Sequence, residues 1–198
     1  MRVIFCDWWC CMNTETPSKT TRHLRRTKEP LTIIVDTREQ EPLTEWPEGT
    51  ITERATLDTG DYSIKGWERA VAIERKSLLD LAGTMLGGYE GNPRKTPRRF
   101  NLELERMRHY DFRAVIVTAT PEEVINFKHH CGKDAHGALW HFACALFATY
   151  GVPVFILSDR RTAAKWIVDT AQHYVFARTR KYHLRAERLA AVAANFNF

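Results

Sequence analysis

Long apolar runs are missing from this chain, and with them any stretch able to cross a membrane as a helix, which takes roughly 20 mostly apolar residues. The opening Met1-Arg2-Val3-Ile4-Phe5 is too short for the core of a secretion signal, so an intracellular protein is expected. The five cysteines, Cys6, Cys10, Cys11, Cys131 and Cys144, are odd in number and lack a framework spacing, which argues against a disulfide scaffold. Paired C-x-x-C spacing is missing too. Neither Cys6, Cys10 and Cys11 with His23 nor His129, His130, Cys131, His136 and His141 keep the intervals of a zinc site. No internal repeat occurs. With 198 residues and 44% hydrophobic content, the chain can bury one substantial core but not two full domains. Its formal charge of +5, from 29 basic and 24 acidic residues, is too small to matter except where it clusters.

What is present is charge at particular places. Residues 91 to 113 hold Arg94, Lys95, Arg98, Arg99, Arg106, Arg108 and Arg113, and the C-terminal end holds Arg178, Arg180, Lys181, Arg185 and Arg188. Both groups are candidate contacts for a polyanion, with Arg94, Lys95, Arg98 and Arg99 around the glycine- and proline-rich loop 87 to 97 as the foremost. Residues 1 to 30 pass from a cysteine-rich start to a polar, basic stretch, and read as a disordered leader. Residues 177 to 198 read as a basic tail or helix.

Between these ends the pattern alternates. Leu31 to Val35 is a wholly buried strand in character and ends in Asp36. Thr50 to Ala55 suits a strand, and Tyr62-Ser63-Ile64 and Ala70 to Lys76 suit a hairpin around Lys65 to Arg69. Leu78, Leu79, Leu81, Ala82 and Met85 repeat at helical spacing, with Ser77 as N-cap. Asp80 then reads either as the N3 member of a capping box or as a site residue. A helix is expected from Arg98 to Tyr110, a strand from Arg113 to Thr118, and a helix opening at Pro121. Further helix is expected from Gly137 to Tyr150, a strand from Gly151 to Leu157, and a last helix capped by Ser158. Strands alternating with helices make an α/β protein, with a central mixed sheet flanked by helices.

The charged strand ends are where chemistry concentrates. Side chains alternate across a strand, so Glu74 and Lys76 share one face while Ile73 and Arg75 take the other. In a hairpin, Asp61 comes near Glu74. Two carboxylates and a lysine at one point can hold a hard divalent cation beside an activated water, or can be a surface ion-pair cluster. Asp36-Thr37-Arg38-Glu39 adds a third acidic strand end.

With Val35-Asp36-Thr37-Arg38-Glu39, Gly60-Asp61-Tyr62 and Glu74-Arg75-Lys76-Ser77-Leu78-Leu79-Asp80 in that order, the chain resembles the nuclease domain of the XPF family of structure-specific DNA endonucleases. That family's signature, G-D, a gap, then E-R-K-x-x-x-D, is matched without departure, and the resemblance spans residues 31 to 176. It implies a restriction-endonuclease-like sheet and a metal-dependent endonuclease acting on branched, flap or junction DNA in repair or recombination. It further implies Mg²⁺ or Mn²⁺ held by Asp61 and Glu74 with the Arg75 carbonyl, and Lys76 orienting or deprotonating the attacking water. Asp36 and Glu39 match the acids that complete the family's metal centre, and Asp80 matches the final aspartate; Arg38 and Arg75 are support residues that contact phosphate or pair with neighbouring acids. A homodimer is implied through the helical stripes 139 to 150 or 163 to 174, which are equally compatible with core. The alternative reading is a non-catalytic DNA-binding subunit of a nuclease complex, since the family includes members with decayed sites.

Overall fold

The structure is a computed structural model that describes residues 31–86, 96–127 and 137–195. One compact unit ends at Tyr174; from Val175 onward the chain belongs to a second unit, of which the described part is helix. Among the described residues no helix is long and apolar enough to cross a membrane.

Six strands form one sheet: β1 (Thr32–Asp36), β2 (Ile51–Ala55), β3 (Tyr62–Ile64), β4 (Val71–Ser77), β5 (Phe112–Thr118) and β6 (Val154–Leu157), in the order β2-β1-β3-β4-β5-β6. The hairpin is present, with β3 antiparallel to both β1 and β4. From β4 onward the sheet is parallel, β4 to β5 to β6. Parallel neighbours need a long crossover, and the chain supplies helices for it. α1 (Leu78–Leu86) and α2 (Thr96–Met107) join β4 to β5, and α3 (Pro121–Ile125) and α4 (Ala138–Tyr150) join β5 to β6. β2, parallel to β1, is an exposed edge strand.

The period-2 alternation of β4 sorts its two faces. Ala72 joins Val115 and Val117 in a core closed by Leu81 and Ala82 of α1, Phe100, Leu104 and Met107 of α2, and Leu139 and Leu146 of α4. The opposite face, continuing through Phe112 and Phe155, meets Trp166 of α5 (Arg160–Asn195), with ring centroids 6.3 and 4.6 Å apart. Of the two stripes expected to be core or interface, the α5 stripe is core: Ala163, Ile167 and Ala171 are buried. The α4 stripe divides. Leu139, Ala143 and Leu146 are buried, whereas Phe147 stands exposed.

Three boundaries differ from expectation for local reasons. α2 begins at Thr96 and ends at Met107, because His109 N and Tyr110 N turn back to Arg106 and Met107 carbonyls in a tighter final turn. β6 starts only at Val154, after the left-handed Gly151 that closes α4. The cap of α5 is Asp159, not Ser158: Asp159 Oδ1 accepts from Thr162 N at 2.7 Å, and Ser158 Oγ donates to Asp159 Oδ2 instead.

Candidate active site

Strand register assembles the site. Tyr62 pairs with Ile73, and continuing that antiparallel register sets Asp61 opposite Glu74. Ile33 pairs with Ile64 and Val35 with Tyr62, so the same continuation sets Asp36 opposite Asp61. Three acids therefore form a row across three strands, and their backbones are tied accordingly: Asp61 N donates to Ile73 O and Asp36 N to Asp61 O, both at 2.8 Å. Gly60 is required by the turn that delivers Asp61. Its φ is +79°, and a Cβ there would stand 3.0 Å from the Ile73 carbonyl oxygen.

Glu74 and Lys76 share the face of β4 that looks toward α1 and α2, and Lys76 Nζ donates to Glu74 Oε1 at 3.0 Å. The same ammonium lies 4.3 Å from the centroid of the Phe100 ring, a cation-π contact that also keeps water from one side. Asp61 Oδ2 accepts from Arg75 N at 2.8 Å, which brings its carboxylate alongside β4 between Glu74 and Lys76 in sequence. Burial pushes the Asp61 and Glu74 carboxyls well above the usual carboxylate range; repulsion from Glu74 adds to it at Asp61, and at Glu74 the Lys76 charge opposes it. Burial works to lower the Lys76 ammonium, but the charge and hydrogen bond of Glu74 outweigh it and leave Lys76 raised.

The outer acids have arginine partners. Asp36 Oδ1 accepts from Arg38 N and Nε at 2.7 and 2.8 Å, while Oδ2 accepts from Arg38 Nη2 and Leu57 N at 2.9 and 2.7 Å. Burial raises its carboxyl, yet these bonds prevail and hold it below the usual range. Glu39 Oε1 takes Arg75 Nη2 at 2.9 Å; this pair is buried, with side chains 10% and 5% exposed. Both Asp36 oxygens thus accept two bonds each, whereas the Glu39 bonds, from Arg75 Nη2 and Glu41 N, both fall on Oε1. Asp80 closes the capping box: its Oδ2 accepts from Ser77 N at 3.4 Å as well as from Ser77 Oγ at 2.7 Å, and Asp80 N donates to Ser77 Oγ at 3.1 Å. Arg94 and Lys95 lie outside the described residues, as does the side chain of Arg98; Arg99 is exposed. Cys6, Cys10, Cys11, His23, His129, His130, Cys131 and His136 also lie outside them, and His141 is exposed.

One residue was missed. Glu103 of α2 accepts from Gly60 N at 3.4 Å, and its charge adds to the upward push on the Glu74 carboxyl. The available signal was an acid spaced three residues after Phe100 and four before Met107, inside the buried stripe of a helix otherwise rich in surface charge.

Among the described residues no three His, Cys, Asp or Glu side chains stand in ready-made ligand geometry. The donor chemistry of Asp61 and Glu74 nevertheless fits a hard divalent cation: two carboxylates, facing each other across a hairpin and partly cut off from water, carry the charge and oxygens such an ion takes.

This mixed sheet with an Asp–Glu–Lys cluster at its strand ends is of the restriction-endonuclease-like kind. The model of the ERCC4 domain matches residues 35–170, and the chain belongs to that family, with an XPF-type nuclease domain. Among solved structures it is similar to XPF from Aeropyrum pernix, at 21% identity and a TM-score of 0.54, over 72% of this chain and 61% of that one. XPF from Aeropyrum pernix in complex with DNA is similar at 20% identity and a TM-score of 0.53, over 73% of this chain and 64% of that one. The chain thus spans less than two thirds of those structures. No curated protein matches it.

Proposed function

We propose that this chain hydrolyses phosphodiester bonds in DNA, at branched, flap or junction structures, with Mg²⁺ or Mn²⁺ held by Asp61 and Glu74. The observation that carries this reading is the placement of Asp61 opposite Glu74 with Lys76 Nζ 3.0 Å from Glu74 Oε1, at the strand ends. The relative seen with DNA supports DNA as the substrate class. When bound, the cation supplies charge to offset that developing on the phosphate and lowers the pKa of its water. Lys76, hydrogen-bonded to Glu74, orients or deprotonates the attacking water. Arg38, 61% exposed at its side chain yet fixed on Asp36, offers its guanidinium to an incoming phosphate. Asp36 and Glu39 set the position of Arg38 and Arg75 and complete the acidic side of the cation centre.

The chain pairs with a second copy through α4 and β6. Trp140, Ala143, Cys144 and Phe147 of α4, with Pro153, Val154 and Ile156 along the edge strand, line an apolar groove of about 270 Å³. Trp140 and Phe147 remain 41% and 60% exposed there.

A panel of labelled flap, fork, junction and single-stranded DNAs, with Mg²⁺ and with chelator, tests the function. Cleavage in Mg²⁺ is expected, falling at least about 100-fold in Asp61→Asn, Glu74→Gln and Lys76→Met. Activity surviving in Asp61→Asn or Glu74→Gln would sink the reading. DNA binding that is unaffected by chelator, without any cleavage, would instead mark a non-catalytic subunit.

A further inference from the structure

Helix α5 opens with two arginines, Arg160 and Arg161, where the helix dipole favours acids, and its first turn carries no acid. The counterpart of that charge lies outside the helix. Arg160 reaches the loop that joins β1 to β2: Nη2 donates to the Pro42 carbonyl at 2.7 Å, Nε to Glu45 Oε1 at 3.2 Å, and Nη1 to the Glu41 carbonyl at a longer 3.5 Å. Pro42 and Pro47 bring no N–H to this loop, and carbonyls on irregular backbone need donors from elsewhere. One planar guanidinium, with its donors in a fixed fork, serves three points of the loop at once.

The same loop runs back to the site. Glu41 N donates at 3.0 Å to Glu39 Oε1, the oxygen that takes Arg75 Nη2 at 2.9 Å, and Leu43 N donates to the buried Tyr62 hydroxyl at 2.9 Å. Tyr62 follows Asp61 in the chain, and Arg75 N holds the Asp61 carboxylate. Beside the loop lies a cleft of about 700 Å³, whose walls include Glu41, Glu45, Arg75, Thr118 and Arg160. Of residues 41 to 45 only Leu43 is buried, so bonds as well as packing decide where the loop sits.

We propose that Arg160 is a positioning residue for the cleavage site: fixed on Pro42, Glu45 and Glu41, it holds the β1–β2 loop and through it keeps Glu39 on Arg75. The proposal rests on the function argued above, in which Glu39 completes the acidic side of the cation centre. Arg160 acts through the loop.

Hydrogen exchange of the full chain in chelator, without DNA, tests this together with steady-state cleavage in Mg²⁺ of the best substrate in the DNA panel. In Arg160→Gln the Leu43 amide is expected to exchange about tenfold faster or more, while the amides of β5 keep their wild-type rates. Its kcat should fall about tenfold or more with KM held within about twofold, because what is lost is placement at the reacting centre rather than grip on DNA. Glu39→Gln should lower kcat by itself, and adding Arg160→Gln to it should change little, since both act through one carboxylate. Unchanged exchange at Leu43, or a wild-type kcat despite faster exchange, overturns the proposal and leaves the proposed function standing. So does a double variant whose loss equals the product of the two single losses. Exchange that rises equally in β5 also overturns it, since that marks general destabilisation. A wild type that cuts none of the DNAs removes the proposed function and this role together.

Discussion

Asp61 and Glu74 are held in an environment that opposes their charge. Burial raises both carboxyls, with repulsion from Glu74 adding to it at Asp61 and repulsion from Glu103 at Glu74; the hydrogen bond from Arg75 N to Asp61 and the Lys76 charge beside Glu74 only partly offset this. The folded protein then binds protons more tightly than the unfolded chain once pH rises above the ordinary carboxylate range near 4, so unfolding becomes easier as pH increases. Without divalent cation, the protein is expected to be less stable at about pH 8 than at about pH 5, with Asp61→Asn flattening that difference. Denaturant titrations in chelator at the two pH values check it; a wild type equally stable at both, or a variant as pH-sensitive as wild type, contradicts it. Asp36 has the opposite sign. Its depressed carboxyl contributes stability that is present above the ordinary aspartate range and lost only as pH falls through its folded value. Neighbouring acids of one row thus respond to pH in contrary directions, because one has arginine and backbone donors and the other has acids beside it.

At the scale of elements, the hairpin sets the acids and α2 packs beside them. The β3–β4 register aligns Asp61 with Glu74, and Gly60 permits the turn that precedes it. Gly60→Ala must either strain a left-handed residue or push Ile73 away, at a cost of at least about 1–2 kcal/mol. Equilibrium unfolding should register that loss, and DNA cleavage should fall with it because Asp61 moves; a variant with full stability would show that the turn tolerates a side chain. The G-D and E-R-K runs were legible because strand alternation places Glu74 with Lys76 and a hairpin is the shortest way back to Asp61. Asp80 was legible as a cap for an equally local reason, one helical turn from Ser77. Glu103 was not: its partner Gly60 lies 43 residues away in the chain, and only the packing of α2 brings the two together.

For the compact unit as a whole, the sheet ends in two unlike edges. β2 is exposed and polar, with Glu53 engaged by Lys65, and charge of that kind discourages strand pairing with another chain. β6 at the other edge borders the apolar groove under Trp140 and Phe147. Sedimentation of the full chain is expected to show a dimer, and Phe147→Glu a monomer, since a charge placed in a closed apolar contact is costly. A wild type that remains monomeric at concentrations of about 100 μM, where weak interfaces already associate, would rule out pairing through this face.

The sequence by itself determined the alternation of strands and helices, the glycine before Asp61, the shared face of Glu74 and Lys76, and the capped start of α1. Each follows from interactions spanning a few residues: pleat, turn, helical period and cap. The tertiary structure decided the partners. Asp36 faces Leu57, Glu39 faces Arg75, and Glu103 turns toward Gly60, because strand order and the packing of α2 select which distant groups meet. Charge pairing across a fold depends on distance in space, and sequence spacing carries no measure of it.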